Sequence, residues 1–559
     1  MAFRTFAARA LVFFSFCFFS FVPAFAQSVE LNRYAVFFTD KSSNPFSIYN
    51  PTAFLSPRAV ERRAKQNIPV VENDLPVSPN YINGLVLAGA SVYNVSKWLN
   101  CAVVDIVDPK TLAEIESLPF VTEVRLVARY KTKNPAAAAP SKSTFQFRYP
   151  NQSLNTDPSY GMALRQIELL NGIGLHRKGH NGRGVIIAVF DAGFYNAYAH
   201  PGLRPVFTSD RLLATRDFVS NTTVFTSSSH GTQCLSVIGN NEPGVMVGTA
   251  PGATFVLCRT EESGSEMPVE EFNWAAAAEY ADSIGADVIS SSLGYTTFDD
   301  STLNHTYEQL DGNTAPATIA ADHAAAKGIL VVNSAGNNGD KEWFYISAPA
   351  DADSILAVGA VDENELAGLF SSNGFTVDGR VKPDVMAQGV KVVVANTGSL
   401  DYNTGSGTSF AAPGLAGMAA CLVQAHPTRS AQDIINAIRR SADRFHQPGP
   451  KYGYGVPDMQ LADLLLANVN INDFTSNPAP MVYPNPFRSS VAVVHYSEVR
   501  EDARVELVDM FGRLLYTGYY ILQPGYNQLV TDTAQMPAGL YVIRFVTESK
   551  SHELKAVHQ

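Results

Sequence analysis

The sequence predicts an α/β protein: a doubly wound, mostly parallel sheet set between a small α+β unit and a C-terminal β-sandwich. Three observations lead there. From about Pro158, continuous apolar runs alternate with helix-like stretches, as in parallel strands covered on both faces. Ahead of that region, residues 28 to 133 mix strand-like and helical segments. Beyond Pro480 the pattern becomes short alternating strands with turn signals. A chain of 559 residues has room for roughly three or four domains. With 46% hydrophobic and 17% charged residues it can bury large cores. Its net charge of −11 argues against nucleic acid or an anionic membrane as the main partner.

Residues 1–26 read as an export leader. Arg4 and Arg9 precede an apolar run from Ala10 to Val22, and Ala24-Phe25-Ala26 is a small-x-small cleavage site. That run is too short for a membrane span, and no later run reads as a transmembrane segment. In the next unit, 27–133, Tyr34–Phe38, Cys101–Ile106 and Val121–Leu126 read as strands. Ser56–Gln66 and Pro109–Leu118 read as helices, Ser56 capping the first with Pro57 at its first position. Residues 134–155, beginning Asn134-Pro-Ala-Ala-Ala-Ala-Pro140, form a linker. A small unit and a cleavable linker between a leader and a large domain suggest a pro-segment; a permanent accessory domain is the alternative.

The central unit spans 156–470. Its expected strands are Gly184–Phe190, Thr254–Leu257, Ala286–Ile289, Gly328–Val332 and Ile355–Ala360. Its expected helices are Gly231–Gly239, Val269–Ser283, Thr318–Lys327, Phe410–Val423 and Ala431–Ala442. A second linker, 471–480, leads to the β-unit 481–559, with strands expected over Val491–Tyr496, Ala503–Met510, Arg513–Tyr519, Asn527–Val530 and Gly539–Val546. Four cysteines follow the leader: Cys101, Cys234, Cys258 and Cys421. Export permits disulfides, but the spacing shows no framework. Buried free thiols are the leading expectation, with Cys234–Cys258 the pairing to test first.

The chemistry gathers at strand ends and helix starts, where doubly wound sheets place their sites. Asp191 closes the buried run Val185–Phe190 and precedes a glycine turn. His230, in Ser229-His230-Gly231-Thr232, opens an apolar helix, where a positive dipole is expected to keep its pKa from rising. Asn337 follows the run Ile329–Val332 in Ala335-Gly336-Asn337. Ser409 stands in Gly405-Ser-Gly-Thr-Ser-Phe-Ala-Ala-Pro413, a tight loop entering a buried helix. A serine there can cap the helix, with Pro413 tolerated in the first turn. It can equally be a nucleophile whose oxyanion product meets unpaired backbone N–H groups. Each position alone has an ordinary structural role; together they supply acid, base, oxyanion donor and nucleophile at one end of one sheet.

In these motifs the chain resembles the subtilisin-like (subtilase) serine peptidases. Asp191-Ala-Gly, His230-Gly-Thr and Gly407-Thr-Ser409-Phe-Ala-Ala-Pro413 follow the three family signatures in order, over roughly residues 156–465. The resemblance implies a serine endopeptidase acting on proteins or peptides through Asp191, His230 and Ser409, with Asn337 and the Ser409 N–H holding the oxyanion. It implies that Ser292, Leu293 and Gly294, with Ala335 and Gly336, bind the substrate beside the specificity pocket. Ala192 replaces the usual Ser or Thr without touching the chemistry. Tyr295 replaces a common glycine and is expected to narrow or aromatise the cleft. Residues 27–133 take the place of a pro-segment that inhibits the enzyme intramolecularly. No cofactor is implied; structural calcium is common in the family, but no carboxylate spacing here defines a site.

The C-terminal unit resembles the type A sorting domain of Bacteroidetes type IX secretion cargo. Tyr483-Pro-Asn-Pro-Phe487, Val508-Asp-Met-Phe-Gly512, Gly539-Leu-Tyr-Val542 and Lys555-Ala-Val557 carry that likeness. It implies recognition by the secretion machinery and an extracellular or outer-membrane surface location in a Gram-negative bacterium. A carbohydrate- or protein-binding sandwich is the alternative for this unit. For the whole chain, the alternative is a non-catalytic surface-binding protein on the same fold. An esterase with a G-x-S-x-G elbow is excluded, because Ala411 stands where the second glycine belongs.

Overall fold

The computed structural model describes residues 31–130, 160–468 and 479–559, apart from positions 489, 534 and 549. The expected leader, the linker 134–155 and residues 471–478 lie outside the described residues.

In the first unit, β1 (Leu31–Phe38) leads to α1 (Pro57–Lys65), α2 (Pro79–Leu87), β2 (Ser91–Ser96), β3 (Cys101–Ile106), α3 (Pro109–Glu116) and β4 (Val121–Tyr130). Ser56 caps α1 by accepting from the Ala59 N–H at 3.2 Å. The strands form one antiparallel sheet in the order β2-β3-β1-β4. Sequence reading missed α2, whose glycine and asparagine dilute its helical pattern, and β2, which has no buried apolar run.

The central unit runs α4 (Leu164–Glu168), α5 (Ile173–Arg177), β5 (Ile186–Asp191), α6 (Arg204–Thr208), β6 (Leu212–Asp217) and α7 (His230–Gly239). A two-residue ribbon, β7 (Asn241–Glu242) with β8 (Met246–Val247), precedes β9 (Thr254–Arg259), α8 (Val269–Ile284), β10 (Val288–Ser291), α9 (Pro316–Ala326) and β11 (Leu330–Ser334). Then follow β12 (Leu356–Val361), β13 (Val385–Gln388), a hairpin of β14 (Val392–Ala395) and β15 (Tyr402–Gly405), α10 (Thr408–Ala425), α11 (Ala431–Ser441) and α12 (Met459–Leu466).

Seven of these strands form one sheet, β13-β12-β11-β10-β5-β9-β6, with every pair parallel. From β5 the strand order runs one way to β9 and β6, and from β10 the other way to β13. The crevice between β5 and β10 is therefore the switch point of the sheet. Strands β10 and β11 extend beyond their expected apolar runs into Ser290, Ser291, Asn333 and Ser334, all buried polar residues. Edge strand β6 (Leu-Leu-Ala-Thr-Arg-Asp) and the four-residue β13 escaped sequence reading because neither is a long apolar run.

Helix α10 lies in the core against the sheet and α7. Its small residues let it approach closely: a Cβ on Gly417 would fall 2.0 Å from Thr249 Oγ1. Among the described residues it is the one helix long and apolar enough to cross a bilayer, but 83% of it is buried inside the protein.

The C-terminal unit is an antiparallel sandwich. A sheet of β16 (Met481–Tyr483), β17 (Ser490–Ser497) and β20 (Gly525–Asp532) faces one of β18 (Glu501–Asp509), β19 (Leu514–Leu522), β21 (Gly539–Thr547) and β22 (Ser551–His558). Val493, Leu507, Ile543 and Phe545 meet in its core. All four cysteines after the leader are buried free thiols, so Cys234 and Cys258 are not bridged.

Candidate active site

Each residue of the His230-Gly231-Thr232 run has a separate local task. His230 is the first residue of α7. Gly231 lets that helix touch the end of β5: a Cβ there would sit 2.4 Å from the Gly193 carbonyl oxygen and 2.8 Å from Asp191 Cβ. Thr232 ties the helix to the next loop by donating its hydroxyl to the Tyr195 carbonyl at 2.8 Å. The imidazole is thereby brought against the terminal residue of β5. His230 Nδ1 lies 2.9 Å from both carboxylate oxygens of Asp191, which is fully buried.

The expectation that the helix start keeps the imidazole pKa from rising is corrected. Burial opposes charge on the ring, but Asp191 and the neighbouring Cys234 together outweigh it, and His230 is raised well above 6.5. Cys234, one turn along α7, sits 3.8 Å from His230 Nδ1. Burial pushes its thiol up, so it keeps its proton. Asp191, His230 and Cys234 place carboxylate, imidazole and thiol donors within 4.8 Å of one another, the one such grouping among the described residues. A soft metal ion could be held there only by displacing both the His230 Nδ1 proton and the Cys234 thiol proton.

Ser409 is the second residue of α10, and Gly407 occupies the cap position without any side-chain cap. The serine is therefore inside the first turn rather than capping it. Pro413 lies beyond that turn, four residues after Ser409, so it removes the N–H that would serve the Ser409 carbonyl. That carbonyl accepts instead from Ser292 Oγ at 2.8 Å and Cys234 Sγ at 3.3 Å. Ser409 Oγ in turn donates to the Ser292 carbonyl oxygen at 3.4 Å. No hydrogen bond joins Ser409 Oγ to His230 among the described residues, a separation common before substrate binds.

Asn337 is held by its oxygen. Oδ1 accepts from the Thr408 N–H at 2.9 Å and the Thr408 hydroxyl at 3.0 Å. This fixes the amide so that Nδ2 faces the start of α10. A Cβ built on Gly407 would lie 3.7 Å from Asn337 Nδ2 and 3.7 Å from the Ser409 backbone nitrogen, so both nitrogens border the cap residue of α10. Thr408, which the sequence reading passed over, is the anchor of this arrangement.

Ser292, Leu293 and Gly294 leave the end of β10. The Leu293 carbonyl is occupied by Asn333 Nδ2 at 3.1 Å and Ser334 Oγ at 3.2 Å. Gly294 is exposed, and among the described residues its backbone groups have no partner. Ala335 and Gly336 differ: their N–H and C=O groups are all engaged, with Val358, Ser347, Thr408 and Ser372. They form a fixed wall rather than a free edge for a peptide backbone. Tyr295 does not narrow the cleft. It is fully buried, and its phenol donates to Glu261 Oε1 at 2.6 Å. Burial in turn raises the Glu261 carboxyl above the usual carboxylate range.

Residues 182–456 match the model of the Peptidase S8, or subtilase, family. The chain is 31% identical to subtilisin DY of Bacillus licheniformis over 304 residues, covering 53% of this chain and 97% of that one. The chain belongs to the subtilase family. Serine protease AprX of Bacillus subtilis is 30% identical over 305 residues, 49% of this chain and 65% of its own length, so this subtilase spans just under two thirds of that relative. The thermophilic serine proteinase of Bacillus sp. strain AK1 is 31% identical, over 57% of this chain and 68% of its own. Two further matches frame the peptidase domain. Residues 33–143 match the Bacteroidota peptidase S8 propeptide domain, and 481–559 match the secretion system C-terminal sorting domain. This subtilase is a serine-type endopeptidase with a propeptide and a secretion signal at its C-terminus, and the sorting domain assigns it to the secreted or cell-surface proteins of Bacteroidetes. A non-catalytic binding protein is not favoured.

Proposed function

We propose that this subtilase is made as an exported precursor and hydrolyses peptide bonds through an acyl-enzyme formed on Ser409. The observation that carries the reading is the shared Asp191 carboxylate at 2.9 Å from His230 Nδ1, on the same end of the sheet as the first turn of α10. Asp191 fixes the imidazole with Nδ1 protonated and leaves Nε2 to take the proton of Ser409. The serine oxygen then attacks the peptide carbonyl. The resulting oxyanion is stabilised by Asn337 Nδ2 and the Ser409 N–H, and His230 returns the proton to the departing amine. The exposed edge at Gly294 carries the substrate backbone.

The first unit acts as the intramolecular inhibitor in this reading. Its sheet packs Ala35, Val103 and Val127 on Val269 and Phe272 of α8. Its cations converge on Asp282, fully buried on that helix: Arg62 at 2.6 Å, Arg63 at 2.9 Å and Lys97 at 3.3 Å. Strand β4 delivers Arg129 to Asp300 at 3.2 Å, beyond the end of β10. The leader is removed after residue 26, and the C-terminal sandwich is the part read by the outer-membrane export machinery.

A fluorophosphonate tests the catalytic reading. It is expected to label the processed enzyme stoichiometrically at Ser409 and not to label Ser409→Ala. Correctly processed protein that takes up no label would sink the proposal.

A further inference from the structure

We infer that the hydroxyl of Ser292 and the thiol of Cys234 form a clamp on the backbone carbonyl of Ser409, and that Pro413 is present to leave that carbonyl free for them. The inference rests on Ser409 being the nucleophile. In an α-helix the carbonyl of residue i accepts from the N–H of residue i+4. For Ser409 that residue is Pro413, which has no N–H. A buried carbonyl without a partner is costly, and this one is inside α10 at a residue only 9% exposed. Two side chains from other elements replace the missing donor: Ser292 Oγ at 2.8 Å and Cys234 Sγ at 3.3 Å.

The replacement changes what the carbonyl is attached to. A normal helical bond would tie Ser409 only to its own helix. Here it joins three parts of the site: α10 with the nucleophile, α7 with the base, and the exit of β10 where the peptide lies. Cys234 is one turn after His230 on α7, so its S–H···O bond couples the base helix directly to the nucleophile residue. Ser292 makes a reciprocal pair, donating its hydroxyl to the Ser409 carbonyl and accepting the Ser409 hydroxyl on its own carbonyl. Ser292 is thus a positioning residue that sets the rotation of the first turn of α10. That turn carries both Ser409 Oγ and the Ser409 N–H, so one contact adjusts nucleophile and oxyanion donor together. Cys234 is the weaker partner, because a thiol is a poor donor.

The test is a double-mutant cycle on the processed full-length enzyme, followed by kcat, KM and the rate of fluorophosphonate labelling. Ser292→Ala is expected to lower kcat and the labelling rate together by about tenfold, the loss of one hydrogen bond, with KM within about twofold. Ser292→Thr, which keeps the hydroxyl, is expected to retain most of the rate. Pro413→Ala introduces the missing helical N–H. It is expected to recover a large part of the rate in the Ser292→Ala background and to lower the rate of the otherwise native enzyme, where the new N–H competes with the clamp. If Ser292→Ala does not accumulate as processed enzyme, Cys234→Ala carries the same cycle, since it removes the other donor to the same oxygen. Labelling at Ser409 with an unchanged kcat in Ser292→Ala overturns the clamp and leaves the nucleophile standing. So does a Pro413→Ala effect of equal size in both backgrounds. Absence of labelling in the native enzyme overturns the nucleophile reading itself.

Discussion

His230 Nδ1 is equidistant, at 2.9 Å, from the two carboxylate oxygens of Asp191, and Asp191 is fully buried while the imidazole edge reaches the surface. The carboxylate, with Cys234 beside it, stabilises the imidazolium, and His230 is raised well above 6.5 despite the opposing effect of burial. A general base must be neutral, so protonation below that raised pKa removes activity. The profile of kcat/KM against pH is expected to rise through a single limb displaced to the alkaline side of 6.5. Asp191→Asn removes the charge, so the limb is expected to move to lower pH while the maximal rate falls by about 10⁴-fold, the loss known from the corresponding serine-protease triad change. A limb unmoved by the substitution would detach Asp191 from the base.

The Asn337 amide is pinned through its oxygen, which accepts from the Thr408 N–H and hydroxyl. Asn337→Ala is expected to cost about 10²- to 10³-fold in kcat with little change in KM, a range measured in a subtilisin and so an expectation of the family. Thr408→Val, which removes the hydroxyl but keeps the N–H anchor, is expected to produce a smaller loss of the same kind. Steady-state kinetics on a peptide substrate separates the two parameters.

Asp282 gathers Arg62, Arg63 and Lys97 of the first unit in a buried cluster. Asp282→Ala removes the ion-pair partner of Arg62 and Lys97, while Arg63 keeps Asp74 at 3.0 Å, and breaking such buried pairs costs about 3–5 kcal/mol. The cleaved pro-segment is expected to be held at least about a hundredfold more weakly. Co-elution of the cleaved pro-segment with a Ser409→Ala enzyme before and after the substitution, at graded concentrations, gives the change. Equal retention would mean that the apolar contact with Val269 and Phe272 suffices.

All four cysteines after the leader are buried and reduced. Burial pushes the Cys101, Cys258 and Cys421 thiols up as well. The native precursor, freed of its leader, is expected to react negligibly with a thiol reagent, and the same protein denatured to titrate four thiols. Reductant is expected to leave the thermal unfolding temperature unchanged; a fall in that temperature on reduction would show a bridge.

The sequence carried the doubly wound sheet because its inner strands are apolar on both faces, and a continuous apolar run is a local signal. It was less able to say where those strands stop. Asn333 and Ser334 look like loop residues, yet they continue β11, where the Leu293 carbonyl from the neighbouring strand exit accepts from Asn333 Nδ2 and Ser334 Oγ. Short or edge strands such as β6 and β13 were invisible for the opposite reason: their hydrophobic partners lie in other elements.

By itself the sequence determined which residues stand at strand ends and helix starts. Asp191, His230, Asn337 and Ser409 are placed by motifs a few residues long, in which Gly231 permits close approach and Thr408 supplies an anchor. What only the tertiary structure decided are relations across large sequence separations. Tyr295 turns inward to Glu261, 34 residues away, rather than toward the cleft. Ser292 reaches the Ser409 carbonyl across 117 residues because β10 and α10 meet at the switch point of the sheet. The physical reason is that a side chain's local neighbours fix its backbone, but its hydrogen-bond partner is whichever group packing leaves unsatisfied within about 3 Å. Pro413 is legible in the sequence as a missing donor; that Ser292 and Cys234 fill its place is legible only in three dimensions.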